Sequence, residues 1–184
     1  AIGAGTQEEV LQRIESLGAN LIYVSSAPIE TQGMERRMGV LTLADAESIA
    51  ESVAAVDAVA PVIDVPGRVV WRNQNGLANI QGTTNDYFEA REWKISEGRL
   101  FREGELQRGT KVGIIGQSLL KFLFNDRPPR EAIGEVVRVE NMPVEIIGIL
   151  EAKGLAPQGL DQDNRIVMPI RTVQLRLRAK GAGD

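Results

Sequence analysis

The chain has 184 residues, 43% of them hydrophobic and 25% charged, with a formal net charge of −4. Those values suit a globular chain long enough to bury one substantial core or two small ones, and the negative balance leaves no electrostatic footprint for nucleic acid. Cysteine and histidine are both absent, which excludes thiolate nucleophiles, disulfides and thiolate metal sites and removes the commonest general base and zinc ligand.

No apolar stretch reaches the roughly 20 residues that a membrane-crossing helix needs. The longest, such as Val144–Leu150, are broken by Glu145 and Gly148. The chain starts at Ala1 without a signal-peptide pattern, so the expectation is a piece excised from a longer protein whose anchor lies elsewhere. Two basic clusters, Arg36–Arg37 and the group Arg171, Arg176, Arg178 and Lys180, are short. They fit a solvated helix face or an approach to a membrane.

In chain order, Thr6 and Glu9 are spaced as a capping box, and Val10, Leu11, Ile14 and Leu17 form one apolar helix face that ends at Gly18. Leu21–Val24 reads as a strand, and about Ser25–Gly39 as a loop. Thr42 caps a second helix with Asp45 at its third position, and Leu43, Ala46, Ile49, Ala50 and Val53 are expected to face inward. Val56–Val62 is the next predicted strand. Two helix–strand units in succession imply a small layer of helices on one face of a sheet.

After Pro66–Gly67 the character changes. Arg68–Trp71 and Leu77–Ile80 flank Asn73–Gly76, and Asn75-Gly76 is a hairpin turn signal. Strands are predicted at Lys111–Ile115, Glu135–Glu140 and Val144–Leu150, with Asn141–Pro143 connecting the last two. A short helix is predicted at Ser118–Phe124, a strand at Arg165–Met168, and a helix beginning at Thr172–Leu177. The fold class is therefore α+β, with a helix–strand first part over 1–66, a mostly β part over 67–170, and a final segment 171–184.

Three constellations invite chemistry. Val112–Gly116 followed by Gln117-Ser118 resembles a strand entering a helix through a glycine turn. The phosphate-cradling glycine patterns are absent there, and G-x-S-x-G fails at Leu120, so the turn is read as structural. Asp161, Gln162, Asp163 and Asn164 hint at calcium, but Arg165, Ile166 and Thr172 fill positions five, six and twelve of an EF-hand loop and exclude it. A polar surface turn is the preferred reading, with an irregular calcium site as its alternative. The carboxylate pairs Glu103/Glu105 and Glu8/Glu9 read as solvated side chains. The aromatics Trp71, Tyr87, Phe88 and Trp93 read as core anchors rather than a binding groove.

The segment Gln81–Phe101, QGTTNDYFEAREWKISEGRLF, closely resembles the G-T-T-x-D-Y-F…W…G-R-x-F signature of the MacB-like periplasmic core domain of ABC-transporter permeases. Further pieces agree in order: Ile2-Gly3 through Leu17–Leu21, Leu41-Thr42 with Asp45-Ala46, Val59–Pro61, Val112–Gln117, Leu123-Phe124, Ile133-Gly134, Ile147–Gly154, Asp161–Asp163, and Met168–Ile170 with Thr172. The likeness covers nearly the whole chain.

That resemblance implies a Porter-like layer, with its first half in 1–66, carrying a Sabre-like β insertion over 67–170, and a return segment beginning at 171–184. It implies an extracytoplasmic, non-catalytic domain without cofactor, at the periplasmic face of the bacterial inner membrane. The implied partners are a second permease protomer, a periplasmic adaptor and a cytoplasmic ABC ATPase, with the domain relaying ATP-driven motion during macrolide or peptide export. A lipoprotein-releasing permease and a small-ligand or peptide sensor are the competing functions. The loops 27–39 and 154–163 contain Gly or Pro and lack periodicity, as functional loops often do. From them Pro28, Gln32, Met34, Leu155, Gln158, Leu160 and Asp161 are taken as candidate partner contacts.

Overall fold

The computed structural model describes residues 21–25, 41–125, 127–156 and 159–176. Backbone contacts divide the chain into two units, Ala1–Ala60 and Pro61–Asp184.

In the first unit, helix α1 spans Leu43–Ser52. Its capping box forms in both directions: the Asp45 amide donates to Thr42 Oγ1 at 3.3 Å and the Thr42 amide to Asp45 Oδ2 at 2.7 Å. Leu43, Ala46 and Ile49 are half-buried, whereas Ala50 and Val53 are exposed, so the inward face is narrower than the periodicity predicts. Leu21–Ser25 is not a strand, and its Ile22 and Val24 stand exposed. Val56–Val62 is irregular rather than a strand. An apolar run makes a strand only where a neighbour completes its ladder, and none of the described strands pairs with either stretch. The predicted first helix and the loop 27–39, with Pro28, Gln32 and Met34, lie outside the described residues.

Among its described residues the second unit contains seven strands: β1 (Ile63–Trp71), β2 (Gln74–Thr83), β3 (Ile95–Gly98), β4 (Val112–Ile115), β5 (Val136–Val139), β6 (Met142–Leu150) and β7 (Arg165–Pro169). Their order is β3-β6-β4-β7-β2-β1-β5, and β5 pairs again with β6. Six strands therefore close into a barrel, with β3 attached outside the ring. Two neighbours share one edge of β6. Met142–Glu145 pairs with β5, and Gly148–Leu150 pairs with β3. The β2–β7 and β4–β6 ladders are parallel and the others antiparallel.

The burial pattern follows this closure. In β6, Pro143 and Glu145 face out while Met142 and Val144 face in; from Ile146 onward every residue is buried. The core holds Val69, Ile80, Ile115, Val137, Val144, Ile146, Ile149, Ile166 and Met168. Each such side chain contributes about 1.5–3 kcal/mol through burial. Helix α4 (Gln117–Phe124) inserts Leu119, Leu120, Leu123 and Phe124 into the same cluster. Its Phe124 ring lies 4.2 Å from that of Trp71, whose indole N–H reaches Glu135. The remaining helices are α2 (Asp86–Ala90), α3 (Glu103–Arg108) and α5 (Ile170–Arg176), with a 3-10 turn at Pro129–Ala132.

Several turns differ from expectation. Strand β1 runs straight through Pro66–Gly67; Pro66 lies beyond the Val69–Val70 pairing with β5, so its missing N–H is tolerated at an open edge. The β1–β2 hairpin turns at Arg72–Asn73, with Arg72 left-handed at φ 51°, not at Asn75-Gly76. Gly76 instead makes room for Phe122, whose ring would stand 2.7 Å from a Cβ there. The β5–β6 connection is Glu140–Asn141, and Met142-Pro143 already belong to β6.

Candidate partner-contact hairpin

Between β6 and β7 the chain forms a small two-legged projection. Leu155 bridges Asp161, Ala156 N–H donates to Leu160 O at 2.8 Å, and Gln162 N–H donates to Gly154 O at 3.1 Å. Gly154 and Gly159 take left-handed backbones, at φ 75° and 79°, where a Cβ would be strained. The outward leucines, Leu155 and Leu160, are 69% and 70% exposed. Singly exposed leucines need no explanation, but these two stand on the paired legs of one short projection. Asp161 is exposed and its Oδ1 accepts the Asp163 amide at 2.8 Å, an Asx turn. Of the candidate contacts on this loop, the structure brings Leu155, Leu160 and Asp161 together; Gln158 lies outside the described residues.

The root of the projection is firmly seated. Asp163 is 4% exposed, and its carboxylate takes the Lys153 amide at 2.9 Å and the Gly154 amide at 2.8 Å. Both oxygens are thus committed to the fold, and the acidic run acts as a turn. The Asp163 carbonyl accepts Leu119 N–H at the start of α4, and the Gly116 amide reaches Arg165 O at 3.0 Å. Gly116 is a structural turn, as the sequence suggests. Asn164 donates through Nδ2 to Leu77 O at 3.1 Å, tying the outgoing leg to β2.

The segment 81–101 wraps this root. Glu151 N–H donates to Lys94 O, and Lys153 Nζ to Arg91 O. Arg165 donates to Gln81 Oε1 at 3.2 Å, to Tyr87 OH at 3.1 Å and to Gln162 O. Gln81 Nε2 and Asn79 Nδ2 both donate to Asp64 Oδ1 at 2.9 Å. Trp93, 5% exposed, has two cations over its ring: Lys153 Nζ at 4.9 Å and the Arg165 guanidinium at 5.2 Å. Burial, reinforced by the positive charges of Arg91 and Arg165, pushes the Lys153 ammonium below its ordinary pKa, against the pull of Glu92 and Asp163.

The other residues of this segment also have fold-forming roles. Thr84 bonds Asp86, and Asn85 donates to Phe101 O at 2.8 Å. Phe88 packs between Tyr87 and Phe101. Gly98, at φ 83°, lies where a Cβ would come within 2.3 Å of Ile147 O. Arg99 forms a two-pronged ion pair with Glu105, both contacts 2.8 Å. Glu105 is therefore a structural carboxylate, and Glu103 accepts Gln107 Nε2 at 3.0 Å. Trp71, Tyr87, Phe88 and Trp93 are all buried, as expected of core anchors. Lys153 and Arg165 carry no local sequence signal for their meeting at Trp93.

The family model of the MacB-like periplasmic core domain matches residues 1–183. The chain belongs to that family. Among curated relatives of this MacB-like domain, a macrolide export ATP-binding/permease protein MacB from Rhodospirillum rubrum is 37% identical over 180 residues, covering 96% of this chain and 27% of its own length. A pyoverdine export ATP-binding/permease protein PvdT from Pseudomonas aeruginosa is 31% identical, covering 96% and 26%. The chain thus spans about a quarter of the length of these relatives. The solved periplasmic region of MacB from Actinobacillus actinomycetemcomitans shares the fold at a TM-score of 0.69 and 22% identity, covering 92% of this chain and 74% of that one. None of the described helices is long and apolar enough to cross a membrane.

Proposed function

We propose that this MacB-like domain is a non-catalytic, force-relaying part of an export-type ABC permease, and that its 154–162 hairpin touches a periplasmic adaptor protein. The domain would stand outside the inner membrane and be moved by ATP hydrolysis elsewhere in the assembly. The observation that carries the reading is the hairpin itself: two exposed leucines, Leu155 and Leu160, on legs whose root is fixed by a buried carboxylate and by cation–π contacts. A contact element that relays motion must be stiff at its base and present apolar side chains beyond it. A closed barrel supplies the stiff body, because every strand of the ring pairs with a neighbour on each side over part of its length.

The relatives' printed names favour export of macrolide- or pyoverdine-type molecules over lipoprotein release. In the same reading 67–170 is the Sabre-like insertion, 1–66 the first half of the Porter-like layer, and 171–184 the start of the return; a second permease protomer completes the dimer.

The test is site-directed crosslinking in a cysteine-free full-length permease. A cysteine replacing Leu155 or Leu160 is expected to give an adduct with the adaptor, and one replacing exposed Glu131 is not. Equal yields from all three, or none from the two leucine positions, would sink the hairpin as the contact.

A further inference from the structure

We propose that Trp93 is the neutral clamp that fixes the pose of the 154–162 hairpin, holding its two root cations, Lys153 and Arg165, against one ring. Lys153 stands where the chain enters the hairpin and Arg165 where it leaves. Two like charges at the two legs of one loop repel. Neither forms an ion pair with a carboxylate among the described residues. Asp163 lies between them in sequence, but its oxygens accept backbone amides of Lys153 and Gly154. The negative face of the indole lies under both cations, at 4.9 Å and 5.2 Å, and adds to the pull that Glu92 and Asp163 exert on Lys153. Tryptophan carries the strongest ring quadrupole for this purpose, and a partly desolvated setting strengthens the attraction.

Five further contacts make the clamp directional. Lys153 Nζ also holds Arg91 O, two residues before the ring. Arg165 is braced by Gln162 O within the outgoing leg, and by Gln81 and Tyr87 on β2 and α2. The Trp93 amide donates to Phe88 O at 2.7 Å, so the ring's own backbone is fixed. A residue buried within the domain thereby sets how Leu155 and Leu160 are presented. The consequence for partner contact rests on the reading of the hairpin given above; the clamp itself does not.

Amide hydrogen exchange on the chain tests the clamp, with Gly154 and Gln162 as reporters and Ile146, bonded to Glu135 O in the barrel, as reference. Trp93→Leu is expected to speed exchange at Gly154 and Gln162 by about tenfold, and Trp93→Phe by about threefold, with Ile146 unchanged. Unchanged exchange at the two reporters, or an equal rise at Ile146, overturns the proposal. Should Trp93→Leu fail to fold, Lys153→Met in the parent chain gives the same reading, with about a threefold rise expected at Gly154. Where both variants fold, Lys153→Met should add less on top of Trp93→Leu than it does alone, its bond to Arg91 O being lost in either case; an equal effect with and without the tryptophan overturns the clamp. A second arm measures crosslinking from a cysteine at position 160 in the full-length permease. Faster exchange with undiminished crosslinking keeps the clamp and removes the hairpin as contact site, whereas lowered yield in step with faster exchange supports both.

Discussion

The carbonyl oxygen of Asp163 lies 2.3 Å from the point where a Cβ on Gly116 would stand, with the Asp163 carbonyl carbon at 2.9 Å. The first turn of α4 is thus pressed directly against the hairpin root, and only glycine permits the approach. Gly116→Ala must move backbone, not a side-chain tip, and is expected to cost about 1–3 kcal/mol in denaturant unfolding. Gly104→Ala offers the opposite sign. It lies inside α3 and faces only the mobile end of Arg108, so alanine is expected to gain about 0.5–1 kcal/mol.

The Trp71–Phe124 pair governs how α4 stays in the barrel. Phe124 is 1% exposed and its ring stands 4.2 Å from the indole. Phe124→Ala is expected to destabilise by about 3–5 kcal/mol, read as a lowered denaturation midpoint with little change in slope.

The Arg99 guanidinium, helped by the Arg102 amide, holds the Glu105 carboxyl down to about 2 from its ordinary 4.5, overcoming the opposing effect of burial. A depressed folded-state value means the contribution is fully present above about pH 4.5 and is lost as pH falls toward 2. Glu105→Gln is expected to lower the melting temperature at neutral pH and to flatten its decline between those limits. Parallel acid limbs for the variant and the parent would contradict the pairing.

Leu155→Ser and Leu160→Ser separate folding from contact. Both side chains are mostly in solvent, so thermal stability should change by less than about 0.5 kcal/mol. Export by the full-length permease, measured as cellular resistance or efflux, should fall in the double variant.

Much of the barrel is legible in the sequence, and the reasons are local. Val112–Ile115, Val136–Val139 and Arg165–Pro169 are short apolar runs between turn signals, and α4 shows its amphipathic period. What escapes is non-local. Strand β3 has one of its four residues half-buried and three exposed, so it carries no apolar signature. Leu21–Val24 and Val56–Val62 show such a signature but have no described strand beside them. Gly76 signals a turn, yet its role is to admit the Phe122 ring from another element. At the site, loop composition points to Leu155, Leu160 and Asp161, and the Asp161–Asp163 spacing to a turn. The meeting of Lys153 and Arg165 over Trp93 depends on the register of β6 and β7, which no local pattern encodes.

The parallel β2–β7 ladder brings Gln81 beside Arg165 across 84 residues of chain. Loop-closure entropy grows with that separation, and such pairings form slowly. The β1–β2 ribbon can zip as soon as its turn is made, but the ring shuts only when the strand at 165–169 arrives. Until then the inner faces of Ile80 and Ile146 remain open to solvent. A nascent chain of this kind is exposed to aggregation until that strand docks, so its yield should respond to slower synthesis or to a holding chaperone more than to changes in the β1–β2 hairpin.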